Sequence, residues 1–277
     1  MTCRRLLLQH FAGLVAALAL PAARAQQRRS LPDPLRVGVD AALFDSGLAA
    51  ALQLGFGRDT GIAVQLVRRP ALPLLEALER GELDAALANA PDAEAALEKQ
   101  GLAHDRQPIA QGEFVLVGPA PHGPKKDPAG IAGLRDAAQA LAQIRAAALS
   151  IPGSVSFLSN ADGSGTHVLE QALWRRAKLA PAAPWYLAAE PATSPIAQAR
   201  ARTAYALVER GAWAVQGGAP LAVLVEGDPV LAEAVHAMRA FRASHPAGKV
   251  FVAWIAGPKG RRVVGRVAGY RSGEGVK

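Results

Sequence analysis

The alternation of short apolar runs with helical periods most constrains how this chain can fold. Apolar residues occupy every second position of Leu35–Val39, which predicts a strand, and Leu48, Leu52 and Phe56 then recur at helical spacing. The same order continues along the chain, with further strands predicted at 62–67, 85–88, 114–117, 155–158, 185–187, 205–208 and 221–225. A repeated strand, helix, strand order predicts an α/β fold with mainly parallel sheets flanked by helices.

One segment interrupts this alternation. Residues 118–130 contain four prolines and three glycines, a composition that cannot remain helical. The alternation resumes beyond it with a helical stretch from Leu134 to Leu149. We therefore expect two α/β lobes.

The N-terminus has the features of an export signal. Arg4 and Arg5 precede an apolar run, and a small-x-small cleavage pattern ends at Ala25. The uninterrupted apolar core, Phe11–Leu20, is shorter than the roughly 20 residues that a membrane span needs. We expect residues 1–25 to be removed, residues 26–33 to form a flexible leader, and the product to enter the periplasm by the Sec or twin-arginine route without spanning the membrane.

Charge and cysteine content exclude several classes of function. The formal net charge is +8, and it falls to +5 when the three signal arginines are removed. Such a surplus attracts polyanions, but export makes nucleic acid an improbable partner. Cys3 is the one cysteine of the sequence, so the exported chain has no disulfide, thiolate metal site or cysteine nucleophile.

Three loops follow predicted strands at the position where open α/β sheets bind ligands. They are residues 40–46, 89–91 and 159–167. The third is the most informative, because the small residues Gly163–Gly165 let the backbone approach a ligand closely and a helix start there adds partial positive charge. An ordinary helix start capped by Asp162, with no ligand, is the alternative.

Enzyme motifs are not matched. A nucleophile elbow around Ser164 would need glycines where Asp162 and Thr166 stand, and a dinucleotide loop would need glycine where Val168 stands. The mature histidines show no helical pair of metal-ligand spacing. We expect no catalytic residue, no metal and no cofactor.

Six motifs in their order along the chain resemble the periplasmic tungstate-binding proteins of ABC importers. They are Asp45–Leu48, Gly81–Asp84, Phe114–Pro119, Asp127–Ile131, Asp162–His167 and Val225–Pro229. The similarity covers about residues 35–260. It implies a type II periplasmic-binding-protein fold, in which two α/β lobes are joined by two crossing strands and close on a ligand.

The resemblance also implies the lobe boundaries. The first crossing falls at Phe114–Val117 and the second near Glu233–Phe241, so the C-terminal segment returns to the first lobe. We expect lobe 1 to comprise residues 34–117 and 236–277, and lobe 2 to comprise residues 118–235.

The chain departs from the family pattern at three places. Val39-Asp40-Ala41-Ala42 replaces a hydroxyl-rich loop, Asn160 stands where the family has arginine, and Ala234-Val235-His236 replaces a tyrosine-bearing crossing. His236 and Arg239 are the remaining cations expected to approach the cleft. The residues expected to bind ligand are Asp40, Ala41, Ala42, Asn89, Asn160, Ser164, Gly165, Thr166 and His236.

The charge of Asp40 affects which ligand the site can bind. A carboxylate about 4 Å from one unit of ligand charge costs about 4 kcal/mol at an effective dielectric near 20, and a dianion doubles that cost. A micromolar affinity is itself only about 8 kcal/mol. Asp40 therefore opposes an oxyanion unless it faces solvent, is protonated or is neutralised by a cation.

We expect a monomeric periplasmic receptor that delivers a small ligand to the membrane permease of an ABC importer. An oxyanion such as tungstate or molybdate is the first candidate ligand. A different small polar or cationic solute is an alternative. A second alternative is a non-transport interaction or sensor protein whose ligand site has degenerated.

Overall fold

The computed structural model describes residues 30–122, 126–191, 193–242 and 245–272. The N-terminal part contains β1 (Leu35–Asp40), α1 (Ala41–Asp45), α2 (Leu48–Thr60), β2 (Val64–Arg69), α3 (Ala71–Glu79), β3 (Ala85–Ala88), α4 (Pro91–Lys99) and β4 (Ala103–Pro119). The middle part contains α5 (Ala137–Ser150), β5 (Phe157–Ser159), α6 (Gly165–Arg176), β6 (Tyr186–Ala188), α7 (Pro195–Arg202), β7 (Ala206–Glu209), α8 (Arg210–Gln216) and β8 (Leu221–Val225). A 3-10 turn (Pro229–Leu231), β9 (Ala232–Ala240), α9 (Gly248–Ala256), α10 (Pro258–Val264) and β10 (Arg271–Ser272) follow.

Lobe 1 is built on a sheet in the order β10-β4-β9-β3-β1-β2. Strand β1 is parallel to β2 and β3, whereas β9 is antiparallel to both β3 and β4. Helices α2 and α9 contribute to one core of this lobe, and α3 contributes to another.

Lobe 2 uses the C-terminal part of β4. Residues 114–117 of β4 pair with β7, and residues 116–119 pair with β8. Strands β5 and β6 are parallel, and an isolated bridge between Phe157 and Tyr205 joins β5 to the start of β7. Strand β4 thus belongs to the sheets of both lobes, and its partner changes between Glu113 and Phe114.

Burial on both faces explains why β3 is apolar throughout. In β3, Ala85 and Leu87 pack into one core while Ala86 and Ala88 pack into the core on the opposite face. A strand covered by helices on both sides has no polar face, so its sequence is a continuous apolar run. The predicted strands 85–88 and 221–225 accordingly coincide with β3 and β8.

Strand β4 differs from the prediction. It begins at Ala103 rather than Phe114. The added segment is polar and contains Pro108, so its own pattern does not predict a strand. Pairing with β9 from Ala103 to Glu113 stabilises it, and this partner lies more than a hundred residues away in the chain.

The predicted signal peptide, residues 1–25, lies outside the described residues, as does part of the predicted leader. Across the described ranges, no helix combines the length and the apolar character that a bilayer crossing requires.

Candidate ligand-binding site

The carboxyl ends of strands from both lobes face one cavity. Its volume is about 390 Å³ with the open solvent at its mouth included. Lobe 1 contributes residues at and after the ends of β1 and β2, and lobe 2 contributes residues that follow β5 and β6 together with β7 and the start of α8. The lining residues are Ala41, Ala42, Asp45, Arg68, Asn160, Asp162, Thr166, Ser194, Pro195, Ile196, Leu207, Val208, Glu209 and Ala212.

Four helices begin at this cavity: α1, α6, α7 and α8. Their first residues carry backbone N–H groups that the helix cannot satisfy, and each helix start has partial positive charge. Side chains cap all four starts, and two of these caps are carboxyl groups, Asp40 on α1 and Glu209 on α8. The cavity is therefore suited to bind an anion through these backbone dipoles. At α1 and α8, however, Asp40 and Glu209 already accept hydrogen bonds from some of the free amides.

Asp40 connects the two lobes. Its side chain is fully buried at the end of β1, and Oδ1 accepts a hydrogen bond from the Ala42 amide at 2.9 Å. Its Oδ2 accepts from the Gly165 amide, at the start of α6 in lobe 2, at 3.2 Å. Burial raises the pKa of Asp40 to about 6, against the lowering effect of these amides.

Residue 165 has to be glycine because Asn89 of lobe 1 lies too close to leave room for a Cβ. A Cβ on residue 165 would lie 2.0 Å from Asn89 Oδ1 and 2.8 Å from the Asn89 carbonyl oxygen. The lobes also meet where the Leu72 amide donates to the Gly163 carbonyl at 2.9 Å. The structure therefore shows the two lobes closed on each other at the α6 start.

Thr166 presents hydrogen-bond donors to the cavity. It is 2% exposed, and within the described residues no protein group accepts from its amide or its hydroxyl. Beside it, Asn160 Nδ2 donates to Ser164 Oγ at 3.3 Å, and Ser164 Oγ in turn caps His167. The Ser164 amide donates a hydrogen bond to Asp162 Oδ1 at 2.9 Å. Thr166 is thus the α6 residue whose donors stay free for a ligand.

An ion pair lies at the mouth of the cavity. Arg68, near the end of β2, donates from Nε and from a terminal nitrogen to the two Asp45 oxygens at 2.8 and 2.7 Å. The hydrogen bonds that Arg68 donates to Asp45 raise the pKa of Arg68 further. This arginine is the cation that the sequence analysis missed, although it too lies at the carboxyl end of a strand.

Two buried carboxyl groups meet beneath the cavity. Glu209 caps α8 by accepting from the Gly211 and Ala212 amides, each at 2.6 Å. The side chain of Glu233, on β9, packs against Gly112 of β4. A Cβ added to Gly112 would lie 2.2 Å from Glu233 Oε2. Its other oxygen accepts from Asn89 Nδ2 at 2.6 Å.

These two carboxyl groups influence each other's ionisation and are placed to share a proton. Burial raises the pKa of Glu209 to about 7, and burial and the charge of Glu209 raise the pKa of Glu233 well above its usual range. In the described part of the chain, no donor faces Glu233 Oε2, so a hydrogen bond between this oxygen and Glu209 would need a proton on one of the two groups. The pair joins lobe 2 to lobe 1, because Glu209 ends β7 and Glu233 lies in β9.

The predicted site residues fall into three groups. Ala41, Ala42, Asn160 and Thr166 line the cavity. Asp40, Asn89, Ser164 and Gly165 form the contacts between and around the helix starts behind it. His236 lies apart from both groups.

His236 is held away from the cavity by its strand register. It lies opposite Ala88 on β3, and its Nδ1 is 2.8 Å from Glu94 Oε2 and 3.1 Å from a terminal nitrogen of Arg106. Arg239, the other cation expected there, pairs with Asp105. Both side chains support the α4 and β4 side of lobe 1, so neither replaces the missing arginine in the cavity.

Two relatives with descriptive names are similar to this chain over most of its length. A protein of Haloferax volcanii that carries the name of an ABC transporter anion-binding protein is 30% identical over 195 residues, 70% of this chain. The chain spans about half of that relative, since the match covers 54% of it. The tungstate-binding protein TupA of Peptoclostridium acidaminophilum is 28% identical over 228 residues, covering 80% of this chain and 77% of that protein.

A solved structure matches over a similar extent. The structure described as the tungstate ABC transporter from Geobacter sulfurreducens superposes with a TM-score of 0.70 at 27% identity, covering 84% of this chain and 97% of that one. A family model described as a PBP superfamily domain matches residues 25–258. With its two α/β lobes joined through β4, the chain belongs to the type II periplasmic binding protein superfamily.

Proposed function

We propose that this protein is the solute-binding receptor of an ABC importer and that it captures a small oxyanion between its lobes. The observation that carries the proposal is the cavity ringed by four helix starts, where Thr166 keeps its amide and hydroxyl free. The names of the relatives, an anion-binding and a tungstate-binding protein, support the same class of ligand. Tungstate is therefore the first ligand to test, and molybdate the second.

Capture works by closure and needs no chemical step. A ligand can favour the closed state only by binding it more tightly than the open state, so its contacts must come from both lobes. Ala41 and Ala42 at the α1 start supply the lobe 1 side, and Asn160 and Thr166 supply the lobe 2 side. The relatives compared above are named as binding proteins or as an ABC transporter, and we propose the same non-enzymatic role for this chain.

The proposal extends to location and partners. Residues 1–25 act as a cleavable export signal, and the receptor works as a monomer in the periplasm. Its partner is the membrane permease of the importer.

A small cationic or polar solute is the second candidate, and the charges around the cavity favour it. Asp45, Asp162 and Glu209 line the cavity, and Asp40 lies directly behind it, whereas Arg68 is the cation among the lining residues described. An anion bound there would be repelled by these carboxylates unless one of them is neutral. Mono- and divalent cations and amino acids belong in the same binding screen.

We expect tungstate to stabilise the protein against heat at pH 6.0. A ligand at a hundred times its dissociation constant adds about 2.7 kcal/mol to the folded state, which is about 5–11 °C for a chain of this size. Thr166→Val keeps the shape of the side chain and removes its hydroxyl, so it should abolish most of the shift. Differential scanning fluorimetry of both proteins measures this.

Ser150→Ala is the matched control, because it removes an exposed hydroxyl from the end of α5. It should leave the shift unchanged. A shift with a cation or an amino acid, and none with tungstate or molybdate, would replace the oxyanion proposal by the second candidate.

A further inference from the structure

We propose that Asp40 is the specificity-determining residue of this site: its carboxylate occupies the α6 amide that an anionic ligand would use, so oxyanion capture requires Asp40 to take up a proton. This inference rests on the proposed function. It concerns how the site selects its ligand and under which conditions.

The geometry makes Asp40 an internal anion. The start of α6 has two amide donors that its own serine cap leaves unbound, those of Gly165 and Thr166, and both residues are buried. Asp40 Oδ2 already accepts from Gly165 at 3.2 Å, across the interface between the lobes. A carboxylate in this position supplies the negative charge that a helix start attracts, and it repels a second anion placed beside it.

The groups that face Asp40 do not cancel this repulsion. Asp162, which precedes α6, raises the pKa of Asp40, and the charge of Asp40 in turn raises the pKa of the buried Glu233 on β9. Arg68, on β2, is the opposing cation, and its guanidinium is paired with Asp45. A ligand anion therefore meets Asp162 in the cavity wall, Asp40 behind it and a cation that is already engaged.

Protonation changes the role of Asp40. A neutral carboxyl group removes one unit of negative charge from behind the cavity and gains an O–H that can donate to a ligand oxygen. Burial raises the pKa of Asp40 to about 6, so the proton is accessible near neutral pH. Each bound oxyanion then brings one proton from solvent to Asp40.

The pH dependence of affinity follows from this coupling. If only the protonated form binds, the apparent dissociation constant rises by about 50-fold between pH 6.0 and pH 8.0 for a group with a pKa of about 6. Asp40→Asn keeps the Oδ1 acceptor for the Ala42 amide and carries no charge. It should bind with the same affinity at both pH values, about 2-fold more tightly than the wild type at pH 6.0 and about 100-fold more tightly at pH 8.0.

The experiment is isothermal titration with tungstate, kept in the low micromolar range to prevent its condensation, and separately with sulfate. Titrations in buffers of different ionisation enthalpy count the protons taken up. At pH 8.0 the wild type should take up about one proton per anion and Asp40→Asn none. Asp40→Ser, which also caps a helix, provides a second uncharged variant, and Asp136→Asn at the α5 start is the control.

The outcomes separate this inference from the proposed function. Tungstate binding to the wild type with the same affinity at both pH values, unchanged in Asp40→Asn, would overturn the role of Asp40 and leave the receptor proposal standing. A pH slope that persists in both Asp40 variants would assign the proton to Glu209 and Glu233 instead. Failure of the wild type and both variants to bind any oxyanion at either pH would overturn the receptor proposal together with the inference.

Discussion

Gly165→Ala should weaken ligand binding at least 100-fold while the protein stays folded. The new Cβ would lie 2.0 Å from Asn89 Oδ1 and 2.8 Å from the Asn89 carbonyl oxygen. The side-chain amide can rotate away, but the carbonyl belongs to the backbone of lobe 1 and cannot. The lobes would therefore be held apart at the α6 start, and the ligand would lose its contacts with one of them.

The expected loss corresponds to about 2.7 kcal/mol of binding free energy or more. Each lobe keeps its own core, because Gly165 packs against the other lobe and not against its own. The thermal midpoint without ligand should change little. Isothermal titration with tungstate at pH 6.0 measures the affinity, and small-angle scattering measures whether the variant stays open.

Gly265→Ala is the matched control. Gly265 ends α10 in helical conformation, is exposed, and a Cβ there would be 3.6 Å from the Arg261 carbonyl oxygen, which is ordinary contact. It should bind like the wild type. Wild-type affinity in Gly165→Ala would show that binding does not need the closed contact seen between Gly165 and Asn89.

Glu233→Gln should stabilise the protein at pH 8 by about 3 kcal/mol and have almost no effect at pH 5. The pKa values of Glu209 and Glu233 are both raised in the folded protein, Glu209 to about 7. Stability from these groups is therefore fully present below their unfolded pKa near 4.5 and is lost as the pH rises through their folded pKa values. The wild type should be most stable near pH 5 and less stable at pH 8.

Glutamine fits the same place without a titrating proton. Its oxygen can accept from Asn89 Nδ2 as Glu233 Oε1 does, and its amide can donate to Glu209. Glu209 is then free to ionise without facing a second carboxylate. Asp40 and Glu170, whose pKa values are raised to about 6 and about 7, keep part of the pH dependence in both proteins.

Chemical denaturation across pH 5–8 measures the difference, with Glu98→Gln on an exposed position of α4 as the control. About 3 kcal/mol corresponds to about 6–12 °C in the thermal midpoint. Parallel stability curves for the wild type and Glu233→Gln would contradict a shared proton between Glu209 and Glu233.

The fold could be predicted from the sequence where local pattern and burial agree. The α/β class and the family are confirmed, and β3 and β8 have the predicted bounds. The first part of β4 could not be predicted, because its polar residues form a strand only through pairing with the distant β9. The predicted lobe boundaries stay a prediction.

Part of the candidate site could be predicted from the rule that open α/β sheets bind ligands at the carboxyl ends of their strands. That rule selected Ala41, Asn160 and Thr166, which line the cavity. Glu209 was missed because the predicted strand was ended one residue too early, at Val208. The bond between Asp40 and Gly165 joins residues 125 positions apart, and no local pattern encodes it. The binding roles of all these residues stay predictions.

Strand β4 runs without interruption from Ala103 to Pro119 and serves both sheets. Any rotation of one lobe against the other must therefore be taken up as torsion of a hydrogen-bonded ribbon, whose natural right-handed twist sets a preferred angle. The shared strand therefore resists rotation of the lobes more than a flexible linker would. The twist of β4 therefore contributes to the angle between the lobes, together with the contacts that join them at the α6 start.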